Sequence, residues 1–392
     1  MDTQSHGPAG AASPGRALRA HLFAGTRPEI VKLAPVALAL RAAGAEVRLI
    51  ATGQHHDQRM AGDFFTGLGV EPDARWTLAG DESERVAALL GHALAHFSTE
   101  RPDVAVVQGD TWTVPLTTLA ARRHGVPVAH VEAGLRSGNP LSPEESNRKV
   151  AAALATVHLA PTEGAAANLR AEGVPADAVH LVGNTVCDVL RASAVPAVPP
   201  ADRSGILVTA HRPGTVDTAE RLTALVAVVR ALADRHGPVV FPVHPRTADR
   251  LAAFGLTDRL AEHPGIILLQ PQPHRRMLEL IAGSGLVVTD SGGLQEEAGW
   301  FGVPAVVLRE STPRPEGVAL GQALLAGLDP ARALTAATTL LAPAEQLRIA
   351  AMPCPYGDGR SAERIAGLLT DRHHRGLLAL REPGHVPEEI PG

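Results

Sequence analysis

An α/β fold of two Rossmann-like domains facing across a cleft is what the sequence predicts, on three observations. From Arg19 onward, short apolar stretches alternate with Ala/Leu-rich helical ones, the pattern of parallel sheets. A Pro-rich run at residues 193–202 interrupts the alternation near the midpoint of the 392-residue chain. A second alternation of similar length follows it. Two domains also suit the length, at roughly 150 residues each.

Residues 1–18 read as a disordered tail, and residues 1–20 lack the apolar centre of a signal peptide. The first domain, 19–192, has strands expected at 20–25, 46–52, 104–108, 127–131, 156–160 and 179–182. Helices fill the intervals, among them 30–43, 84–100 and 113–124. Residues 193–204 form the linker. The second domain, 205–370, has strands expected at 205–210, 239–243, 266–269, 286–289 and 305–308, and its last helix can return to the first domain. Residues 371–392 read as a C-terminal extension. Ligands of such folds collect at the carboxyl ends of the strands, so the cleft between the domains is where function is sought.

Composition narrows the function classes. Formal charge is −5, which gives no electrostatic support to a nucleic-acid or membrane-surface partner. No apolar run reaches the ~18 residues of a membrane span. The two cysteines, Cys187 and Cys354, lie far apart without a CxxC pair or a disulfide framework, as in a cytoplasmic, reducing compartment. Two lysines, Lys32 and Lys149, stand against 34 arginines. Where coding bias replaces lysine by arginine, a surviving lysine draws interest as a compact ammonium.

The first strand ends in Phe23-Ala-Gly-Thr-Arg27-Pro-Glu29-Ile-Val-Lys32. A dinucleotide turn would need GxGxxG there, because pyrophosphate approaches the backbone closely. Only Gly25 is present, which argues against a resident NAD. Pro28 marks a helix start where Arg27 and Lys32 either face an anion or are simply solvated. Later strand ends carry Asp110, then Glu132 and Arg136, then Glu144, then His211 and Arg212. Carboxylates and a histidine converging on a cleft suit acid–base chemistry, although caps and surface pairs use the same residue types. In Thr289-Asp290-Ser291-Gly292-Gly293 a strand runs into a helix whose free N–H groups would cradle phosphate. A plain Ser N-cap is the simpler alternative. Glu297, about one turn on, is placed to accept hydrogen bonds from ribose. His55-His56 and His373-His374 lack metal-ligand spacing, so no metal is expected; His21, His158 and His180 read as core or surface histidines. GxSxG and Walker motifs are missing from the sequence.

Taken in order, GTRPEIVKLAPV, TGQHHDQRM, QGDT, HVEAGLRS, PEESNR, PTE, VGNTVCDVL, HR, DSGGLQEEAGWFGVPAVVLRESTPRPE and PYGDGRSAERI resemble the non-hydrolysing UDP-N-acetylglucosamine 2-epimerases over residues 20–370. The resemblance implies a glycosyltransferase-B-like fold, no cofactor, and a UDP-amino sugar as substrate. It implies C2 epimerisation, by anti elimination of UDP and re-addition, between UDP-N-acetylglucosamine and UDP-N-acetylmannosamine. It assigns Asp110, Glu132 and Glu144 as the acid/base set, with His211, Arg212 and Arg27 on the diphosphate and Lys32 on the nucleotide side. Ser291, Gly292 and Gly293 would cradle phosphate, Glu297 would bind ribose, and Arg136 and Arg314 would position the cleft. Gln54 and His55 fall where some members bind a second, activating substrate molecule. A homodimer is implied as well.

The sequence departs from the family at four places, one of them a segment before Glu144 about two residues shorter than in many relatives. Pro213-Gly214-Thr215 follows His211-Arg212 where relatives carry a charged run, residues 270–277 lack the usual aromatics, and Asp57 replaces a common glutamine. These changes fit a relative acting on a modified UDP-amino sugar. Two other readings stay open: a hydrolysing epimerase releasing N-acetylmannosamine and UDP, and a nucleotide-sugar-dependent glycosyltransferase or binding protein of the same fold.

Overall fold

The computed structural model of the chain describes residues 16–54 and 70–380. Its first sheet contains β1 (Arg19–Ala24), β2 (Glu46–Ala51), β3 (Ala74–Arg75), β4 (Val104–Gln108), β5 (Val128–Val131), β6 (Val157–Ala160) and β7 (Val179–Leu181). The second contains β8 (Ile206–Thr209), β9 (Val239–Pro242), β10 (Ile266–Leu269), β11 (Leu286–Thr289), β12 (Ala305–Val307) and β13 (Ala323–Leu325). Their orders are β3-β2-β1-β4-β5-β6-β7 and β10-β9-β8-β11-β12-β13. Every pairing is parallel.

Helices cover both faces of such sheets, so the central strands are continuous apolar runs rather than alternating ones. Accordingly β4, β8 and β11 are buried along their whole lengths. This continuity makes the strands easy to place: each expected strand lies within one residue of the observed one at both ends. The strands not expected, β3 and β13, are edge strands of two and three residues, too short to leave a pattern.

Strand order reverses between β1 and β4 in one sheet and between β8 and β11 in the other. A crevice opens at the carboxyl ends of such a pair, because the following helices leave on opposite faces. The segments carrying Arg27–Lys32, Asp110, His211-Arg212 and Asp290–Gly293 leave the strands at these two points.

Two helices tie the halves together. Thr185–Ser193 follows β7, yet its Val186, Cys187 and Leu190 join a cluster with Leu207, Leu278, Val287 and Phe301 of the second half. The last helix, Ser361–His374, puts Ala362, Ile365, Ala366 and Leu369 into the core of the first half with Leu22, Leu33 and Leu40. It runs four residues past the expected boundary at 370, and His373, read from sequence as tail, is buried with Nε2 3.0 Å from the Arg16 carbonyl. The chain therefore crosses between the halves twice, and the crossings lie side by side. Asn184 N–H donates to the Tyr356 carbonyl at 2.8 Å, and the Asp188 carboxylate accepts from the N–H groups of Ser361 and Ala362. This arrangement brings together two cysteines that lie far apart along the chain: the Cys187 and Cys354 sulfurs are 3.9 Å apart, and both thiols are free. Among the described residues, no helix is long and apolar enough to cross a membrane.

Candidate active site

Between the two switch points lies a cavity of about 290 Å³ lined from both halves. Its floor is a buried ionic network. Lys32, from helix Arg27–Ala42, donates to both Glu132 carboxylate oxygens at 2.9 Å and lies 3.3 Å from Glu296. Arg314 donates to Glu132 at 2.7 Å through Nη2 and to Glu296 at 2.8 Å through Nε. Gln108 Nε2 also donates to Glu132, and Asn184 Nδ2 donates to Glu296. Two cations and two anions thus neutralise each other, with Lys32 and Glu132 from the first half and Glu296 and Arg314 from the second.

Burial alone would raise the Glu132 pKa, but Lys32 and Arg314 outweigh it and hold the carboxylate down to about 2. The same carboxylates raise the Lys32 and Arg314 pKa values against the opposing effect of burial. Glu132 follows β5 with φ 65°, a left-handed conformation. A non-glycine residue there costs about 1–2 kcal/mol, sustained by bonds on all sides of its carboxylate. Lys32, expected on a bound anion, is instead taken up by carboxylates of the protein.

The wall above is more open. Asp110, after β4, pairs with Arg148, whose other nitrogen donates to Glu145 at 3.0 Å. Asn147 Nδ2 holds the Asp110 carbonyl at 2.9 Å. Glu144 lies in the first turn of helix Pro143–Leu154 and accepts from the Ser142 hydroxyl. Burial pushes its pKa up, but that hydrogen bond, a backbone N–H, Arg212 and Arg148 lower it overall. Across the cavity, Asp290 has no exposed surface and accepts the N–H groups of His211 and Arg212. Its carboxylate is 3.5 Å from His211 Nδ1. Burial lowers the His211 pKa, aided by His244 and Arg212, and Asp290 only partly opposes this.

Anion-binding groups gather on this side. Arg212 Nε and Arg309 Nη1 are buried without a hydrogen-bond partner among the described residues, although both side chains line the cavity. Burial, with Arg212 and Arg314 nearby, lowers the Arg309 pKa to about 10, so it remains a cation at neutral pH. Ser291, Gly292 and Gly293 line the same wall at the start of helix Gly292–Trp300. A Cβ on Gly292 would sit 3.2 Å from the Arg314 guanidinium, tighter than an ordinary contact. Buried N–H donors and a helix N-terminus facing one cavity are what a phosphate group requires.

Some residues singled out from sequence lie elsewhere. Arg136 does not line the cavity; it forks onto the Glu172 carboxylate at 2.7 and 2.5 Å. Arg27 is half-buried beside the lining residues Thr26 and Pro28 but is not one of them. Glu297 also stands outside the lining, 3.5 Å from His274, while its neighbour Glu296 turns into the network. Gln54 is buried, its Oε1 accepting from Thr113 N–H and Oγ1, and it does not line the cavity. His55 and Asp57 lie outside the described residues. Gly25, the lone glycine of the would-be dinucleotide turn, is needed because a Cβ would strike the Thr113 hydroxyl.

Sequence reasoning missed Arg148, Asp290, Glu296, Arg309 and Glu29 as parts of the site, though all of them stand in motifs at strand ends or helix starts. Glu29 accepts from the N–H groups of Gly25 and Thr26 at 2.7 Å and from Thr111 Oγ1 at 2.6 Å. Burial raises its pKa to about 7 despite these bonds. A larger cavity of about 930 Å³ lies beside the two crossings, but its lining is mainly apolar, so the charged residues favour the smaller one as the chemical site. Elsewhere, ligand atoms of His21, His96 and Glu100 lie within 4.8 Å of one another. Arg48 already pairs with Glu100, and the two imidazoles share a 2.9 Å contact, so the group is satisfied by its own members.

Comparison with known proteins agrees with this geometry. The family model described as UDP-N-acetylglucosamine 2-epimerase matches residues 38–370. The UDP-N-acetylglucosamine 2-epimerase of Methanocaldococcus jannaschii is 35% identical over 370 residues, covering 90% of this chain and 99% of that protein. A crystal structure of the Methanocaldococcus jannaschii enzyme in complex with UDP-GlcNAc and UDP aligns with a TM-score of 0.81 at 34% identity, covering 90% of this chain and all of that one. The glycosyltransferase SnogD from Streptomyces nogalater, 18% identical with a TM-score of 0.54 and 90% of this chain covered, shares the fold alone.

Proposed function

The chain belongs to the UDP-N-acetylglucosamine 2-epimerase family, and from that premise we propose that it inverts C2 of UDP-N-acetylglucosamine or a closely related UDP-amino sugar without releasing the sugar. The observation that carries this reading is one cavity holding Asp110, Glu132 and Glu144 opposite Arg212, Arg309 and the Ser291–Gly293 helix start.

The C2 proton is not acidic, since no carbonyl adjoins C2 in the ring. Inversion therefore needs C1–O cleavage to accompany proton removal: anti elimination of UDP leaves a glycal, and UDP returns as C2 is protonated on the other face. Arg212, Arg309 and the helix N-terminus stabilise the negative charge on departing diphosphate, with His211 beside them held by Asp290. Asp110, Glu132 and Glu144 provide proton transfer at C2. Glu132, clamped by Lys32 and Arg314, is a weak base in this arrangement. A diphosphate that drew Arg314 away would raise its basicity when the leaving group is in place. Glu297 and His274 mark the ribose side.

Residues 19–192 and 205–370, with the last helix packed back on the former, act in this reading as two domains closing on the substrate, in a cytoplasmic homodimer with Gln54 and His55 near an activator site. Proton NMR of the protein with UDP-N-acetylglucosamine in deuterated water tests it. Growth of the UDP-N-acetylmannosamine anomeric signal, with deuterium entering C2, is the expected result. Free N-acetylmannosamine with UDP would move the chain to a hydrolysing enzyme, and no change with UDP bound would point to another sugar.

A further inference from the structure

Cys187 and Cys354 are the only cysteines of the chain, 167 positions apart, yet their sulfurs are 3.9 Å apart. Each sits on one of the two crossings between the halves. The backbone around them is already fastened by the Asn184–Tyr356 hydrogen bond, by Asp188 on the N–H groups of Ser361 and Ala362, and by Arg191 on the Gly359 carbonyl. The sulfurs are thus held as neighbours by the fold. A disulfide needs about 2.05 Å between sulfurs, so the two thiols must approach each other by roughly 2 Å for the bond to form.

Access differs between the two. Cys187 has no exposed surface, packed among Val186, Leu190, Leu278 and Tyr356. Cys354 is partly exposed and lines the cavity of about 930 Å³. Contact with Cys187 and the N–H groups of Tyr356 and Gly357 lower the Cys354 pKa, while contact with Cys354 and burial raise that of Cys187. One thiol is placed to react first and the other to resolve.

We propose that Cys187 and Cys354 form a reversible redox-modification site, closed to an intramolecular disulfide by a small disulfide oxidant such as oxidised glutathione. Cys354 thiolate attacks one sulfur of the oxidant and expels one thiolate, giving a mixed disulfide. Cys187 then loses its proton, its sulfur attacks Cys354 Sγ, and the second thiolate leaves. Two protein thiols are oxidised and one small disulfide is reduced to two thiols. The bond would staple the two crossings covalently.

The test incubates the folded, full-length protein in glutathione buffers of graded potential, traps remaining thiols by alkylation and reads the intact mass. The expected product is a monomeric chain lighter by two hydrogens, with neither thiol alkylated, restored by dithiothreitol. Cys187→Ser is expected to stop at a glutathione adduct on Cys354, and Cys354→Ser to leave Cys187 unreacted until denaturant is added. A wild-type protein that accumulates the glutathione adduct, or whose two thiols both stay reduced at the most oxidising potential, would overturn the proposal whatever the variants do. The readout is thiol status rather than turnover, so it stands or falls independently of the proposed activity.

Discussion

Replacing Glu132 by glutamine removes one of two negative charges from a buried group of four. Lys32 and Arg314 side chains are each 10% exposed, Glu132 5% and Glu296 1%, so water does little to screen the change. The remaining carboxylate, Glu296, must then balance two cations. Removing one partner of a buried pair typically costs about 3–5 kcal/mol. The glutamine carbonyl still accepts a hydrogen bond from Lys32 or Arg314, which places the expected loss near about 3 kcal/mol, a large share of a typical 5–15 kcal/mol. Urea denaturation at pH 7 measures it, and Lys32→Met supplies the control. Removing Lys32 and Glu132 together restores neutrality, so the double variant should lose less than the sum of the singles. The pH profile adds a signed check. Glu132 has its pKa depressed from 4.5 to about 2 on folding, so its contribution is present above pH 4.5 and lost as pH falls toward 2. The variant should lack that part of the acid limb. Equal stability of Glu132→Gln and wild type within about 0.5 kcal/mol, together with strict additivity in the cycle, would refute the network as a coupled, stabilising unit.

Other expectations follow from the same geometry. Asp110→Asn should abolish epimerisation in the NMR assay while UDP affinity stays within a few-fold, because the carboxylate acts on C2 rather than on the nucleotide; near-full turnover would remove Asp110 from the acid/base set. Arg309→Ala should weaken UDP binding by about 1–3 kcal/mol in calorimetry, since the diphosphate loses a charged donor whose Nη1 has no hydrogen-bond partner among the described residues. Glu297→Gln should also weaken UDP binding, by about 1–3 kcal/mol, and an unchanged affinity would place ribose elsewhere. His130 is buried with Nε2 2.8 Å from the Gly109 carbonyl, and burial lowers its pKa from 6.5 to about 4. Its neutral form is favoured on folding, so it contributes stability above pH 6.5 that is lost as pH falls toward 4. That preference is worth on the order of a few kcal/mol, and His130→Phe should flatten the stability profile in that window.

What sequence alone determined here is what short-range physics encodes. Strands buried on both faces must be continuous apolar runs, so β4 and β11 are legible to the residue. Parallel sheets deliver residues after their strands to the switch points, which is why Asp110, Glu132, His211, Arg212 and Ser291–Gly293 could be gathered from motif position. Tertiary structure decided which neighbours those residues meet. Glu132 lies 100 positions from Lys32 and 182 from Arg314, and no local pattern announces a carboxylate clamped by both. The turn of a helix set Glu296 in the network and Glu297 outside it, and Glu172 drew Arg136 away from the cleft. Cys187 and Cys354 became neighbours only because the chain crosses between its halves twice at one place. Periodicity and propensity act over a few residues, whereas ion pairs, proton affinities and sulfur contacts depend on distances that exist only once both sheets have packed.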